Sequence, residues 1–359
     1  MKIGILTLPL RGNFGGILQN YALQTVLKQM GHHPVTLQPR LQPWKPTQFR
    51  FYVVLAKNIV KWCVGYHVPD YINPAKRNCS IQTDFTARHI ATIDWPECAP
   101  LTSDFCKSHD FEAYIVGSDQ VWRPRYSPWL ENCFLNFTSG VSVRRIAYAV
   151  SFGVDVWEYT PEQTRTCREL ARKFDAVSVR EDSGIGLCRE YLGVDALKAL
   201  DPTLLLDKDD YDQLCRHIAP CSDGYMAVYI LDKTSWKLRF IKDIAEAKHL
   251  PIRYLGHDLS VEGWLATFRD AAFVMTDSFH GSVFSILYQK DFFSIVNDAR
   301  GAARFTSLFA GLGLSERLVP ELSHGKIDAR PIEWKEVADA LNGYRAESRR
   351  FLNDSLSIK

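Results

Sequence analysis

The fold is first indicated by residues 3–31, which read IGILTLPLRGNFGGILQNYALQTVLKQMG. An apolar run from Ile3 to Leu8 has the length of a buried strand, and a glycine-rich turn at residues 12–16 follows it. A helix that ends at Gly31 is then predicted by apolar positions at helical spacing, which are Leu18, Tyr21, Ala22, Thr25, Val26 and Met30. A strand, a glycine-rich turn and a helix in this order are typical of a parallel α/β sheet.

The same alternation of short apolar runs and helical patterns recurs along the chain. Further strands are predicted at residues 35–37, 113–116, 145–150, 176–179, 225–231, 252–255, 273–276 and 292–296. We predict a Rossmann-like N-terminal domain over residues 1–206, a second such domain over residues 222–340, and a helical tail over residues 341–359. The predicted fold class is α/β, with two doubly wound parallel sheets and a ligand cleft between them.

Composition and charge exclude several classes of protein. The chain has 359 residues, of which 46% are hydrophobic and 23% charged, so it can bury a sizeable core and is not disordered. Its 43 basic and 41 acidic residues give a net charge of +2, which argues against a protein-wide basic surface for nucleic acid. Nine cysteines without a C-x-x-C pair predict thiols in a reducing compartment rather than a disulfide framework or a zinc site.

The sequence favours a cytoplasmic location. It contains no apolar stretch of about 18 residues that would span a membrane. Its strand-like N-terminus is soon followed by Arg11 and Asn13, so a signal peptide is not expected. An irregular stretch from about residue 38 to 110 includes an amphipathic segment at residues 51–66. A solvated helix is the favoured interpretation of that segment, and a peripheral contact with the inner face of the membrane is the alternative.

Two polar turns of the first half are candidates for a ligand site. The turn that contains Asn13, Gly15 and Gly16 opens a helix, so its N–H groups can bind a phosphate, a carboxylate or a sugar hydroxyl. A tight turn that needs glycine for a positive φ is an equal alternative. Ser118 and Asp119 follow the predicted strand 113–116, where they can bind hydroxyls or cap a helix.

Two ionisable side chains stand at strand-to-helix junctions, one in each half. Arg180 offers a planar fork to phosphate or carboxylate, and a salt bridge with Glu181 or Asp182 is its alternative role. His280 shares its junction with polar residues and glycine, a combination that places a proton donor beside backbone N–H groups. Downstream, Arg304 is one of the residues that can bring positive charge to the opening of the same predicted cleft.

Five stretches together resemble the bacterial polysaccharide pyruvyl transferase family. They are residues 12–24 (GNFGGILQNYALQ), 116–122 (VGSDQVW), 178–181 (SVRE), 201–203 (DPT) and 276–282 (TDSFHGS), in the order that the family shows. The resemblance implies a GT-B-like fold and phosphoenolpyruvate as the donor, with no cofactor and no metal. It also implies a product in which a pyruvate ketal bridges two hydroxyls of a sugar in a capsule, an exopolysaccharide or a cell-wall glycan.

The resemblance and the chemistry together suggest roles for the candidate residues. His280, Arg180 and Asp119 are expected to be catalytic, with His280 as the general acid or the phosphate clamp and Asp119 as acceptor of a hydroxyl proton. The expected substrate-binding residues are Asn13, Gly15, Gly16, Asn20, Ser118, Ser278, Gly281, Ser282, Arg300 and Arg304. The family has a basic residue downstream of the histidine, and either Arg300 or Arg304 of this chain can match it. The first half, with its irregular stretch, is expected to bind a sugar or lipid-linked oligosaccharide, and the second half the donor.

Two other classes of function are alternatives. A glycosyltransferase with a nucleotide-sugar donor shares the predicted architecture. Such enzymes often hold the ribose diol with a glutamate, and no glutamate lies between His280 and Glu316, which disfavours this alternative. A non-catalytic glycan-binding protein is the second alternative, and it would not need an arginine and a histidine at the opening of one cleft. No oligomeric state is predicted.

Overall fold

The computed structural model describes residues 1–40, 79–96, 99–127, 129–256, 258–296, 301–321 and 330–357. Within these residues the chain forms two parallel sheets. The first consists of β1 (Lys2–Leu6), β2 (His33–Arg40), β3 (Thr92–Pro96), β4 (Ala113–Val116), β5 (Arg144–Val150), β6 (Ala176–Val179) and β7 (Leu197–Lys198). The second consists of β8 (Met226–Tyr229), β9 (Ile252–Tyr254), β10 (Phe273–Thr276), β11 (Asp291–Ile295) and β12 (Leu318–Val319).

Both sheets have the strand order of doubly wound folds. The first runs β3-β2-β1-β4-β5-β6-β7 and the second β12-β11-β10-β8-β9, with every neighbouring pair parallel. The order therefore reverses between β1 and β4 and again between β8 and β10. Ligands of such folds bind beyond the carboxyl ends of the strands at these reversals.

The helices begin where the sequence supplies caps and apolar faces. They are α1 (Phe14–Gln29), α2 (Cys79–His89), α3 (Ser103–Lys107), α4 (Pro161–Ala171), α5 (Asp182–Leu187), α6 (Lys208–Leu214), α7 (Ser235–Lys248), α8 (Val261–Asp270), α9 (Phe279–Leu287), α10 (Ala303–Gly311) and α11 (Trp334–Leu356). The side chains of Thr160, Thr234, Ser260 and Ser278 each accept a hydrogen bond from the first turn of the helix that follows. None of the helices in the described ranges is long and apolar enough to cross a membrane.

The two halves pack directly on each other. Phe14, at the start of α1, stacks on Trp264 of α8 with ring centroids 5.4 Å apart, and both side chains are fully buried. The last helix, α11, returns to the first half, where Arg345 donates a 2.6 Å hydrogen bond to the Leu204 carbonyl. Truncating a buried aromatic residue of this kind costs about 3–5 kcal/mol. These contacts bring the strand ends of the two sheets together.

The two parallel sheets confirm the predicted fold class, a GT-B-like pair of Rossmann-like halves. Predicted strands 113–116, 176–179 and 273–276 have the observed bounds, whereas β3, β7 and β12 were not predicted. The domain boundaries stay a prediction, and residue 340 lies inside the continuous helix α11. Residues 41–78, which include the amphipathic segment 51–66, lie outside the described residues.

The cysteines that the structure describes are free thiols, and most are buried. Burial raises the pKa of Cys133 to about 11 and the pKa values of Cys167 and Cys188 to about 12. These three thiols therefore stay protonated near neutral pH, and they are poor nucleophiles because the thiolate is the reactive form. The free thiols agree with the prediction of thiols rather than a disulfide framework.

Candidate active site

Loops from both sheets meet at one buried group of side chains, which we call the Asp201 cluster. It comprises Asp119 after β4, Arg180 after β6, Asp201 after β7 and His280 in the first turn of α9. Arg180, Asp201 and His280 are only 4%, 1% and 5% exposed. Because parallel strands end at the same edge of a sheet, the topology brings together residues that are far apart in the sequence.

The Asp201 carboxylate joins the two halves within this cluster. Its Oδ1 accepts hydrogen bonds from the Thr203 backbone N–H at 3.0 Å and the Thr203 hydroxyl at 2.6 Å. Its Oδ2 accepts a hydrogen bond from Arg180 and lies 3.5 Å from His280 Nε2. Burial favours the neutral acid, but His280 and Arg180 outweigh this effect and hold the pKa of Asp201 well below its usual range. An ionised carboxylate therefore fixes a guanidinium of the first half and a histidine of the second.

The Arg180 guanidinium contacts three groups. Besides Asp201, it reaches Asp119 Oδ1 at 3.5 Å and lies over the Phe279 ring, 4.9 Å from the centroid. Burial opposes its charge, but the nearby carboxylates outweigh this and raise the pKa of Arg180. Its Nε has no hydrogen-bond partner among the described residues. Since buried N–H groups are nearly always paired, this donor is suited to an anionic ligand.

Arg304 brings a second guanidinium to the same aromatic ring. It extends from α10 and lies over Phe279 at 5.3 Å from the centroid, with only 6% of the residue exposed. Burial, and then repulsion from Arg180, lower the pKa of Arg304 to about 10. It stays charged at neutral pH, and an anion placed between the two guanidiniums would reduce their repulsion. Of the two arginines that compete in the sequence, Arg304 is at the cluster and Arg300 lies outside the described residues.

The turn after β4 presents Asp119 in an unusual backbone conformation. Its φ of +78° lies in the left-handed region, which residues other than glycine rarely adopt. The preceding Ser118 is held on two sides, since its N–H donates to Gln19 Oε1 at 3.1 Å and its hydroxyl donates to the Ala149 carbonyl at 3.1 Å. Helix α1 and strand β5 thus fix the direction in which the Asp119 carboxylate points.

His280 packs against the backbone of α1. A β-carbon added to Gly15 would lie 2.0 Å from His280 Nδ1 and 2.3 Å from its Cγ, so only glycine lets the ring come this close. The next residue differs, because a β-carbon on Gly16 would meet the Asn13 side chain at an ordinary 3.4 Å. Gly15 therefore sets the position of His280, which is a role that the sequence did not indicate.

The other predicted residues of α9 build the helix that carries His280. The Ser278 hydroxyl accepts a 3.4 Å hydrogen bond from the Gly281 N–H. A β-carbon on Gly281 would lie 2.2 Å from Thr276 Oγ1, so this helix start also packs closely. The Ser282 hydroxyl is 2.8 Å from that of Ser294 on β11. These contacts position the helix, and the predicted substrate-binding roles of the three residues stay predictions.

The two predicted asparagines differ in their surroundings. Asn20 is fully buried, and its Oδ1 accepts a 2.8 Å hydrogen bond from the Thr36 hydroxyl of β2. The structure therefore places Asn20 in the packing of α1 against β2 rather than at the Asp201 cluster. Asn13 is exposed just before α1, and its side chain makes no capping hydrogen bond. Their roles in substrate binding stay predictions.

Asp201, and Phe279 beneath the Arg180 guanidinium, are residues that the sequence analysis did not assign to the site. Both lie inside stretches quoted for the family resemblance, so the motif itself was the available signal. Asp277, in the same stretch as Phe279, instead forms a fully buried 2.8 Å ion pair with Lys237 and accepts a 2.6 Å hydrogen bond from the Leu231 N–H. It thereby joins the ends of β8 and β10. Among the residues described, no group of three or more His, Cys, Asp or Glu is arranged to hold a metal ion.

Gly15→Ala is expected to lower activity although alanine favours helices. The new methyl group must displace the His280 ring, so we expect kcat to fall by about tenfold or more, as when a reacting group is misplaced by about 1 Å. The matched control is Gly343→Ala in α11, where an added β-carbon would meet nothing within 4 Å, and its rate should stay close to that of the wild type. Steady-state kinetics with a thermal melt of each variant would check this. Equal rates for the two variants would show that Gly15 does not set the position of His280.

The fold and the site define a two-half α/β protein with a buried cluster of charged side chains at its interface. A sequence profile for polysaccharide pyruvyl transferase matches residues 13–299, which is most of the chain. This chain belongs to the polysaccharide pyruvyl transferase family. Membership makes it a transferase and implies a sugar or polysaccharide acceptor.

Several solved structures are similar to this chain at low identity. UDP-GlcNAc 2-epimerase from Neisseria meningitidis, bound to UDP-GlcNAc, is 9% identical with a TM-score of 0.45, covering 98% of this chain and 94% of that one. The enzyme of the same name from Methanocaldococcus jannaschii is 9% identical with a TM-score of 0.46, covering 95% and 92%. A ugt transferase from Siraitia grosvenorii in complex with UDP is 10% identical with a TM-score of 0.45, covering 99% and 94%. A comparison with curated proteins gives no match.

Proposed function

We propose that this chain transfers the pyruvyl group of phosphoenolpyruvate to two hydroxyls of one sugar and forms a pyruvate ketal in a bacterial cell-surface polysaccharide. The supporting observation is that three buried side chains meet at one site. Arg180 comes from the first half, and Arg304 and His280 come from the second. Phosphoenolpyruvate carries a phosphate and a carboxylate, which are the groups that arginine forks bind best.

The two guanidiniums are suited to hold the donor. Arg180 retains an unpartnered Nε among the described residues. Burial and repulsion from Arg180 lower the pKa of Arg304, so an added anion would stabilise its charge. The first turn of α9 adds backbone N–H groups and the positive end of a nine-residue helix. Because two arginines supply the positive charge, His280 is available for proton transfer, and we assign it the role of general acid.

The chemistry requires one proton delivered to carbon and two removed from hydroxyls. His280 protonates the methylene carbon of phosphoenolpyruvate, and the first sugar hydroxyl attacks C2 while Asp119 accepts its proton. The bond between C2 and the bridging oxygen of the phosphate then breaks, and inorganic phosphate leaves with the electron pair of that bond. The second hydroxyl adds to C2 and returns its proton to His280, which closes the ketal. The proton on Asp119 leaves with the phosphate.

The donor needs the halves to part before it can enter. The cavity bordered by Arg180, Asp201 and Phe279 has a volume of about 20 Å³. That volume holds about one water molecule, far less than phosphoenolpyruvate. We therefore expect opening and closing of the interface in each catalytic cycle, as in enzymes that exclude water from their reacting groups.

Thermal stabilisation by phosphoenolpyruvate tests the donor. A ligand at about 100 times its Kd stabilises the folded state by about 2.7 kcal/mol, so the melting temperature should rise by several degrees with phosphoenolpyruvate. UDP-sugars and free glycans serve as comparison ligands. Turnover should release phosphate only when a sugar is present, and the product should gain the mass of pyruvic acid less one water. Activity should survive a chelator.

Other results of this binding and turnover experiment would contradict the proposed function. Stabilisation by UDP-sugars and not by phosphoenolpyruvate would replace the proposal with a nucleotide-sugar glycosyltransferase. Stabilisation by glycans alone, without phosphate release, would indicate a glycan-binding protein. Complete loss of turnover on adding a chelator would contradict the metal-free chemistry proposed above.

A further inference from the structure

Glu181 is a buried carboxylate that has no part in the proposed proton transfers. It directly follows Arg180 and precedes the first residue of α5. The residue is fully buried, although a glutamate is almost never buried without partners. Among the described residues it forms no ion pair with the Arg180 guanidinium, whose charge is balanced by Asp201 and Asp119 instead. The partners of this carboxylate therefore lie elsewhere.

The Glu181 carboxylate binds the three residues that follow β5, which we call the 151–153 loop. Its Oε1 accepts hydrogen bonds from the Ser151 hydroxyl at 3.0 Å, the Phe152 N–H at 2.7 Å and the Gly153 N–H at 2.9 Å. Hydrogen bonds to a charged acceptor are roughly twice as strong as those between neutral groups. A single oxygen atom thus holds three consecutive residues.

The 151–153 loop in turn supports the turn that carries Asp119. The Ser151 N–H donates a 3.0 Å hydrogen bond to the Asp119 carbonyl, and the Trp122 N–H donates a 3.3 Å one to the Ser151 carbonyl. A parallel bridge also joins Asp119 to Val150 at the end of β5. The left-handed φ of Asp119 persists only where the surrounding contacts enforce it. The loop supplies several of these contacts.

The second half meets the same loop at Gly301. A β-carbon added to Gly301 would lie 2.0 Å from the Gly153 carbonyl oxygen, and its φ of +100° also favours glycine. The 151–153 loop therefore contacts both the Glu181 carboxylate of the first half and the backbone of the second. A displacement of the loop from either contact would be transmitted to the Asp119 turn.

We infer that Glu181 is a positioning residue, which acts through the 151–153 loop to hold the turn that presents Asp119 to the Asp201 cluster. This inference rests on the proposed function, because Asp119 is the group proposed to accept the first hydroxyl proton. The role depends on an acceptor oxygen, since Oε1 accepts all three hydrogen bonds. The other oxygen, Oε2, has no partner in the described part of the chain, so an amide nitrogen in its place would break no existing bond.

Glu181→Gln and Glu181→Met separate a role of the hydrogen bonds from a role of the charge. Glutamine keeps an oxygen that accepts hydrogen bonds from the loop, whereas methionine offers only a weak acceptor sulfur. Glu169→Gln is the matched control, because Glu169 is an exposed glutamate of α4. Thermal melts, hydrogen–deuterium exchange of backbone amides, and steady-state kinetics well below the melting temperature would be measured for each protein.

We expect Glu181→Met to lower kcat by about tenfold or more, as when a reacting group is misplaced by about 1 Å. The KM for phosphoenolpyruvate should change by less than about threefold, because Arg180 and Arg304 are the residues proposed to hold the donor. The amides of Ser151 and Trp122, which do not bond to Glu181 directly, should exchange faster in this variant. Glu181→Gln should keep these amides protected and retain most of kcat, and Glu169→Gln should match the wild type.

Gly301→Ala perturbs the same loop from the second half, and it decides the question if Glu181→Met does not fold. The new methyl group must displace the Gly153 carbonyl, so kcat should again fall by about tenfold or more. Gly313→Ala is the control, because Gly313 has a φ of +68° and an added β-carbon would meet nothing within 4 Å. Both variants carry the cost of a positive φ, and only the first displaces the loop.

Three results would overturn the inference. They are an unchanged kcat or unchanged amide exchange in Glu181→Met, a loss in Glu181→Gln as large as that in Glu181→Met, and equal kcat values for Gly301→Ala and Gly313→Ala. The second result would show that the charge of Glu181 acts rather than its hydrogen bonds. If the exchange rates change as expected but the wild type does not turn over phosphoenolpyruvate, Glu181 still positions the Asp119 turn and the proposed donor fails.

Discussion

Arg180→Lys is expected to lower kcat/KM for phosphoenolpyruvate by about 10²-fold or more, which is the usual cost of removing a donor to developing charge. Lysine keeps the positive charge but not the planar fork that reaches Asp201 and Asp119 at once. It also loses the stacking of the guanidinium over Phe279. The charge of the buried cluster is kept, so the variant should fold, whereas Arg180→Ala would leave two buried carboxylates without their cation.

Steady-state kinetics and thermal melts of Arg180→Lys would check this result. Arg165→Lys is the matched control, because Arg165 is an exposed arginine of α4. We expect the control to keep the wild-type rate. If Arg180→Lys also turns over at nearly the wild-type rate, Arg180 does not contact the donor. A melting temperature far below that of the control would instead assign Arg180 a role in joining the two halves.

Much of the fold could be predicted because its signals are local. The strand from residue 3, the glycine-rich turn and the apolar face of α1 all lie within about 30 residues, where periodicity and turn chemistry act. Strands β7 and β12 were missed because each is only two residues long, too short to show a periodic pattern. Their place in the sheet is set by long-range pairing, with β7 against β6 and β12 against β11.

The site could be predicted in part for the same reason. Arg180 directly follows β6, and His280 lies in the first turn of the helix after β10, so both positions are recognisable from sequence. Asp201 follows β7, so missing that strand removed the clue to the residue that joins the halves. The role of Gly15 depends on a contact with His280, 265 positions away, which no local pattern encodes. Sequence thus indicated candidate residues for the chemistry, and the tertiary structure shows which residues hold those candidates in place.

His280→Gln is expected to reduce turnover by about 10²-fold or more, the usual loss when a general acid is removed. Glutamine can still donate a hydrogen bond toward Asp201, but it can neither deliver a proton nor carry a positive charge. Wild-type activity should fall as the pH rises, because a general acid acts only in its protonated form. The residual activity of His280→Gln should not follow this fall.

Asp201 and Arg304 do not account for a loss of activity near neutral pH. The pKa of Asp201 is held well below its usual range, so Asp201 is already ionised, and Arg304, with a pKa of about 10, is still protonated. A comparison of the pH–rate profiles of wild type, His280→Gln and the exposed control His217→Gln therefore isolates the contribution of the His280 proton. We expect the His217→Gln control to show the same rates and the same pH dependence as the wild type, because His217 is exposed. Equal rates for His280→Gln and wild type, or the same fall with pH in both, would remove His280 from proton transfer and leave Arg180 and Arg304 to bind a donor whose proton comes from elsewhere.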